Sequence, residues 1–235
     1  MQKIIHKAKD RGRGEHGWLH TRYSFSFADW YESTRMGFGK LRVINDDIIE
    51  PNNGFGAHSH ANMEIITIVT EGEVSHEDSM GNKYTVPAGD VQVMSAGTGV
   101  THSEYNRSPS TRLALFQVWI EPKERNIKPH YAQKSFGLGT MQNTIELLAA
   151  PAGTAGALPI NQDAYVSSAH FDAGKTFEYE SHSPKNGVYL FVAEGAIIAA
   201  GEELELRDAV GISDTSRVSV SCKEASKILI FEVPI

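Results

Sequence analysis

The stretch Gly54-Phe55-Gly56-Ala57-His58-Ser59-His60-Ala61-Asn62-Met63-Glu64, continued by Ile65-Ile66-Thr67-Ile68-Val69-Thr70-Glu71-Gly72, decides how the rest of the chain is read. Residues 65–69 are one of a series of short runs rich in Val, Ile, Thr and aromatics, broken by Gly, Asn, Asp and Pro. The others in the first half are 23–27, 41–44, 83–86, 91–94 and 113–120. Regularly spaced short strands with turn signals between them predict an all-β sandwich or barrel. Asp78-Ser79-Met80-Gly81-Asn82 and Pro87-Ala88-Gly89-Asp90 are the turn candidates, because Gly and Asn accept the positive φ of tight turns. No strong amphipathic helix precedes residue 140.

The composition shifts near residue 130, and residues 141–149 form a helix or strand candidate. Residues 150–159, rich in Ala, Gly and Pro, read as a loop. A second strand series follows at 164–171, 176–179, 188–192, 196–200, 203–206, 218–220 and 228–233. Gly187-Val188-Tyr189-Leu190-Phe191-Val192-Ala193-Glu194-Gly195 parallels the stretch from Glu64 to Gly72, since both are apolar strands ending in Glu-Gly. The parallel suggests an internal duplication. The expected units are residues 1–135 and 136–235.

The chain has 235 residues, 40% of them hydrophobic and 22% charged, which suits a folded chain with a proper core rather than a disordered one. Its net charge of −7 argues against direct nucleic-acid binding. With Cys222 as the sole cysteine, an intrachain disulfide and a thiolate-based metal site are both excluded. No signal-peptide run and no apolar stretch of membrane-spanning length are present, so a cytoplasmic location is expected.

In a strand, residues i and i+2 project to the same face, so His58 and His60 can converge on one ion without backbone strain. His102-Ser103-Glu104 repeats the geometry with a carboxylate in second place. If the two strands face each other inside a barrel, three imidazoles and one carboxylate meet. Each ligand atom would stand about 2.0–2.2 Å from a first-row ion. This donor mixture favours Fe, Mn, Co, Ni, Cu or Zn over Ca or Mg. One His-x-His among ten histidines is unsurprising by chance, so the flanking residues carry the argument.

Those flanks resemble cupin motifs. Gly54 to Glu64, followed by Glu71-Gly72, is similar to the first motif, and Pro87-Ala88-Gly89-Asp90 with Gly97-Thr98-Gly99-Val100-Thr101-His102-Ser103-Glu104-Tyr105-Asn106 to the second. The usual second motif has Pro where Gly97 stands. His76-Glu77-Asp78-Ser79-Met80-Gly81-Asn82 and the run from Met94 to Glu104 resemble the pirin family. Gly14-Glu15-His16-Gly17-Trp18, Ser24-Phe25-Ser26-Phe27-Ala28 and Arg42-Val43-Ile44-Asn45-Asp46-Asp47 are similar to its bacterial members. The resemblance covers nearly all of residues 10–125 and extends more loosely to the end.

That resemblance implies a bicupin: two tandem jelly-roll β-barrels with few short helices, and a metal in the N-terminal barrel only. It implies one divalent transition metal, Fe(II) first, on His58, His60, His102 and Glu104. The implied reaction is quercetin 2,3-dioxygenation, in which a flavonol ring is opened with O2 and CO is released, Glu104 acting as base. The other function it implies is a metal- or redox-sensing protein that binds a regulatory protein partner. Glu64, four residues after His60, is the rival carboxylate in general cupins, and as a non-ligand it would orient a histidine. His76, beside a turn, reads as a surface residue, and His170 and His182 as surface or packing histidines. His16 and His20 lack ligand spacing. Phe25, Phe27, Trp30 and Phe38 read as core filling. Met36, Phe38 and Phe55 are candidates for the mouth of the site.

Overall fold

In the computed structural model, which describes residues 1–138 and 142–235, the chain forms four sheets, two of seven strands and two of four. The first large sheet runs, in spatial order, His130–Ser135, Asp90–Ser95, Glu64–Glu71, Leu113–Ile120, Leu41–Ile49, Leu19–Tyr23 and Gly12–Glu15. Across from it lies a small sheet in the order Asn53–His60, Val100–Asn106, Glu73–Asp78 and Lys83–Pro87. The second large sheet runs Gln2–His6, Ala209–Ser213, Asn186–Glu194, Ser226–Pro234, Tyr165–Phe171, Thr144–Pro151 and Leu158–Ile160. Its small companion is Thr176–Glu180, Arg217–Cys222, Ile197–Ala199 and Glu202–Leu204.

Two barrels of the same plan result. The Glu-Gly strands that suggested a duplication, Glu64–Glu71 and Asn186–Glu194, occupy the same third place in their sheets. Among the described residues the only helical element is a 3-10 turn at Ala8–Asp10. Within the candidate segment 141–149, Thr144 onward is strand, and Met141 lies outside the described residues. The first strand, Gln2–His6, crosses to pair with Ala209–Ser213 in the second barrel.

Side chains alternate between the two faces of a strand, and here both faces of the large sheets are buried. From one face of the first sheet, Ile66, Ile68, Val91, Val93, Phe116 and Val118 pack into a cluster. Tyr189, Phe191, Leu229, Phe231 and Val233 of the second sheet complete it. Phe116 meets Phe191 edge-on, ring centroids 5.6 Å apart. This two-sided burial explains the near-continuous apolar runs at 65–69 and 188–192, which show no clean alternation. The same interface carries ion pairs: Asp46 accepts from Arg11 at 3.2 Å and from Arg207 at 2.7 Å.

The other face of each large sheet looks into its own barrel, and here the two halves differ. The second barrel is filled by one apolar cluster that includes Val188, Leu190, Val210, Ile212, Ile228 and Ile230. The first has two smaller apolar clusters, one around Ile49, Val69 and Leu115 and one around Ile65, Met94 and Val100. Between them, at Thr67, Gln92 and Gln117, the inward residues turn polar.

The shared core makes a test of mutual dependence. Phe191→Ala, deleting a fully buried ring between the barrels, should destabilise the protein by about 3–5 kcal/mol. Urea unfolding, followed by tryptophan fluorescence and by far-ultraviolet circular dichroism, should show both signals shifting together. A shift confined to one signal would show that the barrels do not rely on one core.

Candidate metal centre

Antiparallel pairing of Asn53–His60 with Val100–Asn106 sets His102 directly opposite His58. A register irregularity between His102 and Glu104 follows, and on its other edge the same strand sets Glu104 opposite His76. The rings of His58, His60 and His102 stand 4.4–5.0 Å apart, centroid to centroid. Their ligand atoms all lie within 4.8 Å of one another. A second grouping, His76 with His102 and Glu104, meets the same limit.

The hydrogen bonds suit metal ligation. His58 Nδ1–H donates to the Gly56 carbonyl at 2.8 Å, which leaves Nε2 with a free lone pair. His102 is buried, yet neither ring nitrogen finds a partner in the protein. A buried unpaired polar atom costs about 1–3 kcal/mol, and a metal ion would relieve that at His102. Burial, followed by the neighbouring His58 ring, lowers His60 to about 4. Burial and the surrounding histidines lower His102 to about 3. Both are therefore neutral at physiological pH, the form that binds a metal. The residues present fit a first-row transition ion.

Glu104 is fully buried, and burial pushes its carboxyl above the usual range against the opposing pull of His76. Its Oε1 accepts from Gln92 Nε2 at 2.6 Å and Thr67 Oγ1 at 3.2 Å, and its Oε2 from Gln117 Nε2 at 3.0 Å. A carboxylate offers about four lone-pair sites, so these three bonds leave capacity on Glu104. The site opens into a cavity of about 240 Å³ whose walls include Phe27, Phe55 and Trp119. Trp119 meets His60 edge-on at 4.9 Å and Phe27 at 5.3 Å. Three aromatic faces around an open donor cluster suit a planar ligand.

The same arrangement of barrels is found in known proteins. The pirin family matches residues 5–120, and a quercetinase C-terminal cupin domain matches residues 147–233. A quercetin 2,3-dioxygenase of Escherichia coli is 41% identical over 230 residues, 98% of each chain. A pirin-like protein of Caulobacter vibrioides is 42% identical, over 94% of this chain and 95% of its own. In three dimensions, the crystal structure of the bacterial pirin YhhW of E. coli, in complex with nickel(II), superposes with a TM-score of 0.93. It is 39% identical and covers 99% of both chains.

The chain belongs to the pirin family.

The structure of this pirin explains its departure from the common cupin pattern at residue 97. Gly97 has φ +47°, and a Cβ there would stand 2.1 Å from the Ile127 carbonyl oxygen. Proline, locked near −65°, cannot take that conformation.

Several expectations from sequence need correction. Glu64 does not reach the histidines. It shares the parity of Ile66 and Ile68, so its side chain faces the second barrel, where Oε2 accepts from Ser95 Oγ at 2.5 Å and from the Asn161 backbone N–H at 3.0 Å. His76 is buried rather than on the surface, because it lies on the strand Glu73–Asp78 and the turn begins only after Asp78. Its ring stacks on Tyr131 at 4.7 Å, and Nε2 pairs with Asp78 at 3.2 Å. Phe27 is cavity wall rather than core. Phe38 packs between the barrels against Tyr189 at 5.5 Å, and Met36 is exposed, so Phe55 alone of the three mouth candidates lines the cavity. His182 donates to the buried Glu232 at 2.7 Å, and His170 is half-buried near Ser168.

Sequence reasoning missed Asn45, Asp47, Thr67, Gln92, Gln117 and Trp119, which surround the donor cluster. A signal for them existed: Thr67, Gln92 and Gln117 each interrupt an apolar run, as in Ile66-Thr67-Ile68, Val91-Gln92-Val93 and Phe116-Gln117-Val118. Asp47 is a further buried carboxyl on the cavity wall, pushed up to about 7 chiefly by burial, with Asp46 and Glu104 adding to it.

Metal analysis separates Glu64 from the histidines. His102→Ala should lower metal affinity by more than the 10–100-fold that loss of an outer partner causes, while Glu64→Gln should keep wild-type metal content. Equal metal loss in Glu64→Gln would place that residue in the site after all.

Proposed function

We propose that the protein is a metal-dependent dioxygenase of the quercetin 2,3-dioxygenase type. It would open a flavonol with O2 and release CO, using a metal held by His58, His60, His102 and Glu104. The single observation that carries this reading is the converged histidine cluster, with both ring nitrogens of His102 unsatisfied, in the wall of a cavity also lined by aromatic rings. Relatives named quercetin 2,3-dioxygenase, 41% identical over almost the whole chain, supply the reaction.

Fe(II) is the ion proposed, on the strength of the dioxygen chemistry, although the related YhhW structure holds nickel(II). When bound, the ion supplies Lewis acidity toward the flavonol oxygens and one-electron chemistry toward dioxygen. The protein's own groups do the rest. Phe27, Phe55 and Trp119 take the planar ring system between apolar faces and keep water from it. Glu104 accepts the proton of the flavonol 3-hydroxyl: burial raises its proton affinity, and Gln92, Thr67 and Gln117 prevent it from swinging away. His58 is aimed by Gly56, and the neutral state of His60 and His102 lets them bind the ion without first losing a proton.

Anaerobic loading with Fe(II), followed by quercetin and air, should bleach the flavonol absorbance and release CO in equal amount. His58→Ala should abolish both. Glu104→Gln keeps the shape of the side chain but removes the base, so kcat should fall by about 10²–10⁴-fold. Undiminished bleaching by His58→Ala would remove the site assignment.

A further inference from the structure

Part of the cavity wall comes from the strand Leu41–Ile49, in the large sheet rather than the small one that bears the histidines, and it carries acceptors without a partner in the protein. Along this strand Asn45 and Asp47 project inward, one inward step apart, about 7 Å along the strand. Both are only 4% exposed, and both line the cavity shared with His58, His60 and His102. Asn45 Oδ1 and Asp47 Oδ1 make no hydrogen bond of proper geometry; the Thr21 hydroxyl, itself unpartnered, is the protein donor near enough to Asp47 to oppose the effect of its burial. Their neighbours along the chain, Val43, Ile44, Ile48 and Ile49, are apolar, so the strand has no general need of polar side chains here. Asn45 also sits opposite Gln117, whose amide holds Glu104 at 3.0 Å. The pair therefore adjoins the reacting end of the cavity without belonging to the donor cluster.

Buried acceptors that face an open cavity select a ligand that brings hydrogen-bond donors to them. We propose that Asn45 and Asp47 are specificity-determining residues that accept hydroxyl hydrogens from one ring of a polyhydroxylated planar phenol, while its metal-binding edge faces the histidines. The inference rests on the flavonol reading of this cavity and adds the part of the ligand that is read. The site then discriminates among flavonols by the number of hydroxyls on the ring that reaches this wall, since an analogue lacking them leaves the acceptors buried and unpaired.

The test uses the full-length, metal-loaded protein and three flavonols carrying two, one or no hydroxyls on the pendant ring. Dissociation constants are measured under nitrogen by quenching of tryptophan fluorescence, and kcat and KM in air. For the wild type, affinity should fall about 3- to 10-fold for each hydroxyl removed. In Asn45→Ala/Asp47→Ala that gradation should collapse, with the hydroxyl-free flavonol bound as in the wild type. Asp47→Asn, which keeps a carbonyl acceptor, should restore part of it.

Equal wild-type affinities for all three flavonols would overturn the proposal, as would a double variant that weakens all three alike, the mark of a merely structural role. The wild-type series needs no variant, so a double variant that fails to fold leaves the test intact. Bleaching of quercetin without graded affinities would sink this inference and leave the dioxygenase reading standing. Graded affinities without bleaching would do the reverse. No binding of any flavonol would remove the anchor altogether.

Discussion

Both faces of the strand Glu64–Glu71 are buried, one against the second barrel and one inside its own, and that constraint governs where each chemical group in this half can point. Even-numbered residues of the strand meet the other barrel through Ile66 and Ile68, and odd-numbered ones enter the first barrel through Ile65, Thr67 and Val69. Glu64 is thereby committed to the interface, where it receives the Asn161 backbone of the second half. Thr67 is committed to the interior, where it donates to Glu104. Two residues that differ by three positions serve different parts of the molecule because a strand has a period of two.

This alternation also sets how much was readable beforehand. The pair His58 and His60 was legible because i and i+2 lie on one face whatever the neighbouring strands do. The all-β bicupin plan was legible from the strand rhythm and from motif flanks. The side on which Glu64 emerges was not, because the segment from Ala61 to Met63 breaks strand continuity with His60 and the apolar run that follows shows no alternation. His76 resembles a surface residue in sequence because it adjoins the turn signal at 78–82; in the structure Asp78 is itself the last residue of the strand, and its side chain caps the Met80 and Asn82 amides. Asn45 and Asp47 fall in the polar run Asn45-Asp46-Asp47, which without a sheet gives no sign that its first and third members are buried while the middle one meets Arg11 and Arg207 between the barrels.

Register adds what periodicity leaves open. Setting His102 opposite His58 brings the two motifs together, and the irregularity after His102 lets one strand serve two neighbours, with His102 beside the His58–His60 pair and Glu104 beside His76. A one-residue slip would turn His102 and Glu104 outward together. The apolar clusters at either end of the barrel resist such a slip, because Val100, on the same strand and the same face, belongs to one of them.

The two barrels supply their own control for what an active interior requires. The second barrel also buries a carboxylate, Glu232, but there every demand is met: Tyr179 and Asn186 side chains, the His182 ring and the backbone amides of His182 and Ser183 all donate to it. Around it the interior is filled with aliphatic and aromatic side chains. In the first barrel the corresponding space is divided by a polar layer in which His102, Asn45 and Asp47 keep unpaired atoms. Satisfied burial stabilises a fold, whereas unsatisfied burial costs stability unless something else completes it. Inside the two barrels, the same architecture thus reads as a scaffold where the buried carboxylate is fully paired and as a binding site where unpaired groups line a cavity.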